Sequence, residues 1–217
     1  MKAQTGAADA KPDTLQSSKH VFRILPKHNC ALAEQHGPLF FLAGPLTGGD
    51  DWQSRMCEAL VEVIPTGFTV VIPYGLGDRP PSAKQKPFSA FTLLEPGSQF
   101  QRQLPWERHY LDLAAGASQA HATASHGGCI LFWLPVESEL YPKPTSHGPY
   151  AQDTRGELGE WRGRLMHDGS LRVVVGGDES FHGFGTIERN FKHALGDCFK
   201  VHRTVEAVAA AAAAFCK

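Results

Sequence analysis

The 217-residue sequence predicts an α/β fold: a five-stranded parallel sheet, doubly wound by helices, in the flavodoxin-like order 2-1-3-4-5. Three observations carry this. Short apolar runs bounded by Gly and Pro recur at 38–43, 68–73, 129–134, 171–176 and 198–202. Segments with helical periodicity separate them, which is the pattern of a parallel sheet covered on both faces. Finally, no repeat or low-complexity domain interrupts the alternation, so residues 20–217 read as one domain behind a polar tail, 1–19, expected to be disordered.

Taken in order, Val21-Phe22-Arg23-Ile24-Leu25 reads as a short extra strand whose partner the sequence does not name. Pro38–Ala43 is the first core strand, and it ends in the breaker-rich loop Gly44-Pro45-Leu46-Thr47-Gly48-Gly49-Asp50-Asp51. A helix follows, with Trp52, Met56, Leu60, Val63 and Ile64 on its apolar face and Asp50 or Asp51 as N-cap. Such a loop offers backbone amides to an anionic or hydroxylated ligand, or is a plain tight turn. Neither Gly-x-Gly-x-x-Gly nor Gly-Lys-Ser/Thr is present, so dinucleotide and P-loop chemistry are disfavoured.

After the second strand, Phe68–Pro73, an irregular stretch of about 74–105 reads as an insertion or lid. Pro105 then introduces a helix from Trp106 to Ala115. The strand 129–134 leads through a Pro-, Ser- and Tyr-rich loop to Asp153-Thr154-Arg155-Gly156-Glu157-Leu158-Gly159-Glu160-Trp161. A helix beginning near Thr154 puts Glu157 in its first turn, beyond the carboxyl end of a core strand, where open α/β sheets bind ligands. Two readings compete. Thr154-x-x-Glu157 has capping-box spacing. Alternatively, Glu157 is a catalytic carboxylate, kept ionised by the positive end of the helix dipole. Leu158, Trp161 and Leu165 share the apolar face, and Gly156, Gly159 and Gly163 share another, as if something approaches there. A helix over 185–196 and a final one capped by Thr204, carrying the Ala run 209–214, complete the chain.

Composition narrows the function. A formal charge of −1 and the lack of basic stripes give no attraction to nucleic acid or to anionic membranes. Five dispersed cysteines form no Cys-x-x-Cys pair, and no secretory or membrane-spanning segment is apparent, so a reducing, cytoplasmic setting is expected. The eleven histidines lack metal-ligand spacing, so no metal site is expected.

Five segments, in order, resemble the nucleoside 2-deoxyribosyltransferase family, in its branch with a Glu-Leu-Gly-Glu-Trp helix. They are Phe41-Leu42-Ala43-Gly44-Pro45 with Trp52 downstream, Val71-Ile72-Pro73, Trp106-Glu107-Arg108, Ile130–Pro135, and Thr154-x-x-Glu157-Leu158-Gly159-Glu160-Trp161. With the tail strand and helix, the likeness covers about residues 38–215. It implies an enzyme of nucleoside salvage that needs no cofactor. In it Glu157 attacks the anomeric carbon of a 2′-deoxynucleoside, and a free nucleobase takes the sugar from the covalent intermediate. The same likeness implies that Gly44, Pro45 and Trp52 line the pocket, that Trp106 and Glu107 hold base or sugar, and that Asp153, as the aspartate contacting the base, and Thr154 also bind substrate. It also implies a homo-oligomer, a dimer or higher. Two alternatives stay open: an N-glycosidase on 2′-deoxynucleosides or their 5′-monophosphates, and a non-catalytic nucleotide-binding module with Glu157 as a cap residue.

Overall fold

The computed structural model describes residues 21–24, 37–73, 92–93, 102–117 and 127–216. The strands are β1 (Val21–Ile24), β2 (Leu39–Ala43), β3 (Phe68–Val71), β4 (Thr92–Leu93), β5 (Gly128–Leu134), β6 (Val173–Gly177) and β7 (Val201–His202). The helices are α1 (Trp52–Val63), α2 (Gln103–Ala115), α3 (Gln152–His167), α4 (Phe184–Leu195) and α5 (Val205–Ala213). All seven strands pair in parallel, in the order β4-β1-β3-β2-β5-β6-β7.

The five core strands therefore stand in the expected 2-1-3-4-5 order. The extra strand predicted at Val21 has β3 on one side and β4 on the other, so the sheet is two strands wider than the core alone. β4 falls within the stretch read as irregular. The rest of that stretch up to residue 101, and the tail 1–19, lie outside the described residues.

Alternation along the strands divides the core in two. Leu39, Phe41, Ala43, Ile130, Phe132, Leu134, Val173 and Val175 face α2, α3 and α4. Phe40, Leu42, Val70, Cys129, Leu131, Trp133 and Val174 face α1 and α5. A period of two puts successive side chains on opposite faces, which is why these runs are apolar throughout rather than alternating. On the first face Leu158, Trp161 and Leu165 of α3 are buried as their spacing predicts. Val63, assigned to the apolar face of α1, is 38 % exposed, because the helix ends there and Ile64 turns in instead.

Several boundaries move. β6 begins at Val173 rather than Leu171, and β7 is confined to Val201–His202. Asp51 takes the N-cap position of α1 without a capping bond from its side chain, which accepts from Ser54 Oγ at 2.8 Å. Thr204 caps α5 as expected, its hydroxyl accepting from the Ala207 amide at 3.1 Å. Among the described residues no helix is long and apolar enough to cross a membrane.

Candidate functional site

Because every strand runs the same way, the loops after β2, β5 and β6 emerge at one end of the sheet. They are tied together there. Ser138 N donates to Gly48 O at 2.6 Å, and Gly49 bridges Glu137. Val136 N donates to Asp178 Oδ2 at 3.1 Å. The Tyr150 hydroxyl donates to Pro135 O at 2.9 Å, while burial and then the charges of Glu137, Asp178 and Asp50 push its phenol well above the ordinary range. The Gly44–Asp51 loop and the loop before Glu157 thus meet, as the strand order requires.

Gly44 is tightly packed at this end. A Cβ on it would lie 2.5 Å from Trp133 O and 2.7 Å from Cζ2 of Trp52. The Trp52 ring lies under the turn, and its Nε1 donates to Pro45 O at 3.0 Å. Trp52 and Trp106 have no exposed surface. As pocket-lining residues they need correction: each shapes the site from below, Trp52 under the Gly44–Pro45 turn and Trp106 against Phe41 and Tyr110. Pro45 is buried and Gly44 partly exposed.

The helix that carries Glu157 starts two residues earlier than its sequence suggests. Ala151 occupies the N-cap position in left-handed backbone, φ 57°, and is buried. A non-glycine residue held there costs of order 1–2 kcal/mol. Thr154 is consequently the third helical residue, buried within the first turn, and Glu157 lies in the second turn. The capping box is not formed, because its Thr is no longer at the cap. This corrects both the first-turn placement and the capping geometry.

The expected charge state is corrected as well. Glu157 is partly buried, and no hydrogen bond or ion pair to its carboxylate is found among the described residues. Its pKa is raised from 4.5 to about 7, first by burial and next by the charge of Glu107. Arg108 opposes the rise, while Asp153 and Glu160 add to it. The dipole field fades beyond the first turn, so it does not offset desolvation at this position. Glu107, in the second turn of α2, is also raised, chiefly by burial and in part by Asp153, against a hydrogen bond from Gln103 and the charge of Arg108. Asp153 lies one turn before Glu157 on the same helix face, exposed, and its charge reaches both carboxyls.

Helices α2 and α3 are locked beside this pair by an ion chain. Arg108 pairs with Glu160, and Arg164 reaches both Asp112, at 2.7 Å, and Glu160, at 3.9 Å, while lying 4.0 Å above the Trp161 ring. Arg108 is thereby spent on Glu160, and its field only partly offsets the crowding at Glu157.

The structure thus brings Glu157, Glu107 and Asp153 together, places Gly44 and Pro45 at the adjoining strand end, and buries Trp52, Trp106 and Thr154 beneath. Sequence reasoning missed two residues. Gln103 was hidden because Pro105 looked like the helix start, whereas α2 begins at Gln103 with Pro105 in its first turn. The i,i+4 spacing of Gln103 and Glu107 was the available signal. Arg108 was quoted for its motif but given no role. Among the described residues no group of His, Cys, Asp and Glu is arranged to hold a metal ion. No family model matches the chain, and no curated protein matches it.

Proposed function

We propose that this chain is a nucleoside 2-deoxyribosyltransferase, moving 2-deoxyribose from one nucleobase to another through a covalent intermediate on Glu157. The observation that carries the reading is a partly buried carboxylate, with no partner among the described residues, whose pKa of about 7 lies next to a second carboxyl that is also raised. Retaining glycosyl transfer needs a pair of carboxyls, one acting as the nucleophile in its ionised form and one as the proton carrier.

Glu157, when ionised, attacks the anomeric carbon, and the carbon–nitrogen bond to the base breaks. Its electron pair leaves with the base, which takes a proton from Glu107. In the return step a free base attacks the glycosyl ester, gives its proton to Glu107 and regenerates the Glu157 carboxylate. Asp153 and the Gly44–Pro45 turn would hold the substrate, and no cofactor enters either step. The competing cap role for Glu157 loses its geometric support, since Ala151 rather than Thr154 stands at the cap. A cytoplasmic homo-oligomer belongs to the same reading. Within the chain the face of Gly156, Gly159 and Gly163 is open, an added Cβ meeting nothing within 4 Å.

The test is incubation with deoxynucleosides, with and without a free acceptor base, followed by chromatography and intact mass. Base exchange, a deoxyribosyl adduct, and a loss on the order of 10⁴-fold in Glu157→Ala are expected. Release of free deoxyribose without acceptor would make the chain an N-glycosidase using the same nucleophile. An unchanged rate in Glu157→Ala would overturn the assignment.

A further inference from the structure

Gln103 is the first residue of α2 and has the only side-chain hydrogen bond made to Glu107 among the described residues. Its Nε2 donates to Pro73 O at 3.1 Å and to Glu107 Oε1 at 2.7 Å. Both acceptors fix the amide's orientation. The Pro73 carbonyl only accepts, so the NH₂ end of Gln103 has to face it, and the second hydrogen of the same nitrogen then points to the carboxyl. Pro73 follows β3 at the carboxyl end of the sheet, and it is buried. The amide therefore ties the Glu107 side chain to a rigid strand end rather than to another mobile side chain.

A consequence follows for the proton. An oxygen that accepts an N–H bond keeps its lone pair turned to the donor, so Oε1 is a poor place for a hydrogen. We propose that Gln103 is a positioning residue that fixes Glu107 to the end of β3 and assigns its acidic proton to Oε2. This rests on the deoxyribosyltransferase reading for its purpose, though not for its geometry. A proton confined to one oxygen of an anchored carboxyl has one direction of delivery, which proton transfer to a departing base requires. The other charges acting on Glu107 come from Arg108 on its own helix and from Asp153 and Glu157 on α3.

Gln103→Met keeps the side-chain length and removes both donors. Two measurements are made on the full chain. The first follows the Glu107 carboxyl by ¹³C NMR titration, its signal identified by loss in Glu107→Gln. The second is the pH profile of kcat and KM for base exchange. The expected result is an upward move of the Glu107 titration in Gln103→Met, with the alkaline limb of the rate profile moving the same way. In that variant kcat falls about tenfold, the size of one hydrogen bond to a charged group, while KM stays nearly constant. Gln103→Lys restores a donor to Oε1 and brings the titration back down. A Glu107 titration that is the same in wild type and Gln103→Met would overturn the inference. Should Gln103→Met not fold, a Glu107 titration in Gln103→Ala that is unmoved from wild type would overturn it equally. A titration that moves in a protein with no base exchange supports the anchor and sinks the enzymatic reading. Normal base exchange with an unmoved titration does the reverse.

Discussion

A carboxyl whose pKa is higher in the folded chain than in the unfolded one makes stability fall as pH rises. Glu157 goes from 4.5 to about 7. Below that window both states carry the proton and nothing is lost. Across it the folded state holds a proton the unfolded state has given up, and above pH 7 the full cost of an ionised, partly buried carboxylate is present. The difference corresponds to roughly 3 kcal/mol. Glu157→Gln keeps the shape and never ionises. It is expected to be more stable than wild type at pH 8 by up to that amount, with the gap closing as the pH falls towards the ordinary glutamate range. Thermal melts of both proteins from pH 4.5 to 8 measure it, and a gap independent of pH would show that the carboxylate is not burdened. The sequence singled out this residue but not the surroundings that raise its pKa. Its raised pKa depends first on burial, then on Glu107, fifty positions away on another helix, with Arg108, paired to Glu160, opposing the rise. Distances between helices are a product of the fold and leave no trace in local spacing.

Glycines at this end of the sheet divide into two kinds, and substitutions should separate them. At Gly44 an added methyl would run into the Trp133 carbonyl and the Trp52 ring, one of them backbone and the other buried. Gly44→Ala is expected to destabilise by about 1–3 kcal/mol, the range for overpacking. Along α3, Gly159 has open space where its side chain would be and sits in a helix interior. There Gly159→Ala is expected to stabilise the chain by about 1 kcal/mol, or roughly 2–4 °C in Tm. Calorimetry on both variants decides the matter, and a destabilised Gly159→Ala would mean that the face is already occupied in solution. The elements themselves were legible where apolar runs are long: Leu39–Ala43 and Gly128–Leu134 are buried at every position. β4 escaped because two residues carry no periodicity. The start of α3 escaped because an alanine in left-handed backbone has no sequence signature, whereas Thr154 offered a familiar cap that the chain does not use.

On the scale of the molecule, the topology explains why the carboxyls meet. α2 and α3 lie on the same face of the sheet, while the Gly44 loop leads to α1 on the other. The doubly wound arrangement lets one strand end, between β2 and β5, collect loops that belong to both layers. That convergence was readable from strand order alone, and the strands added beyond β3 leave it intact. The chain also has a formal charge of −1 and a sequence pI of about 6.8, close to the pKa of Glu157. Near that pH, wild type and Glu157→Gln differ by a whole charge once unfolded, but by only about half a charge when folded. Isoelectric focusing of the two proteins should therefore show a narrower separation in native gels than in urea. The protonation of one side chain would then be visible as the electrophoretic position of the entire protein, with no substrate, label or assumption about its reaction.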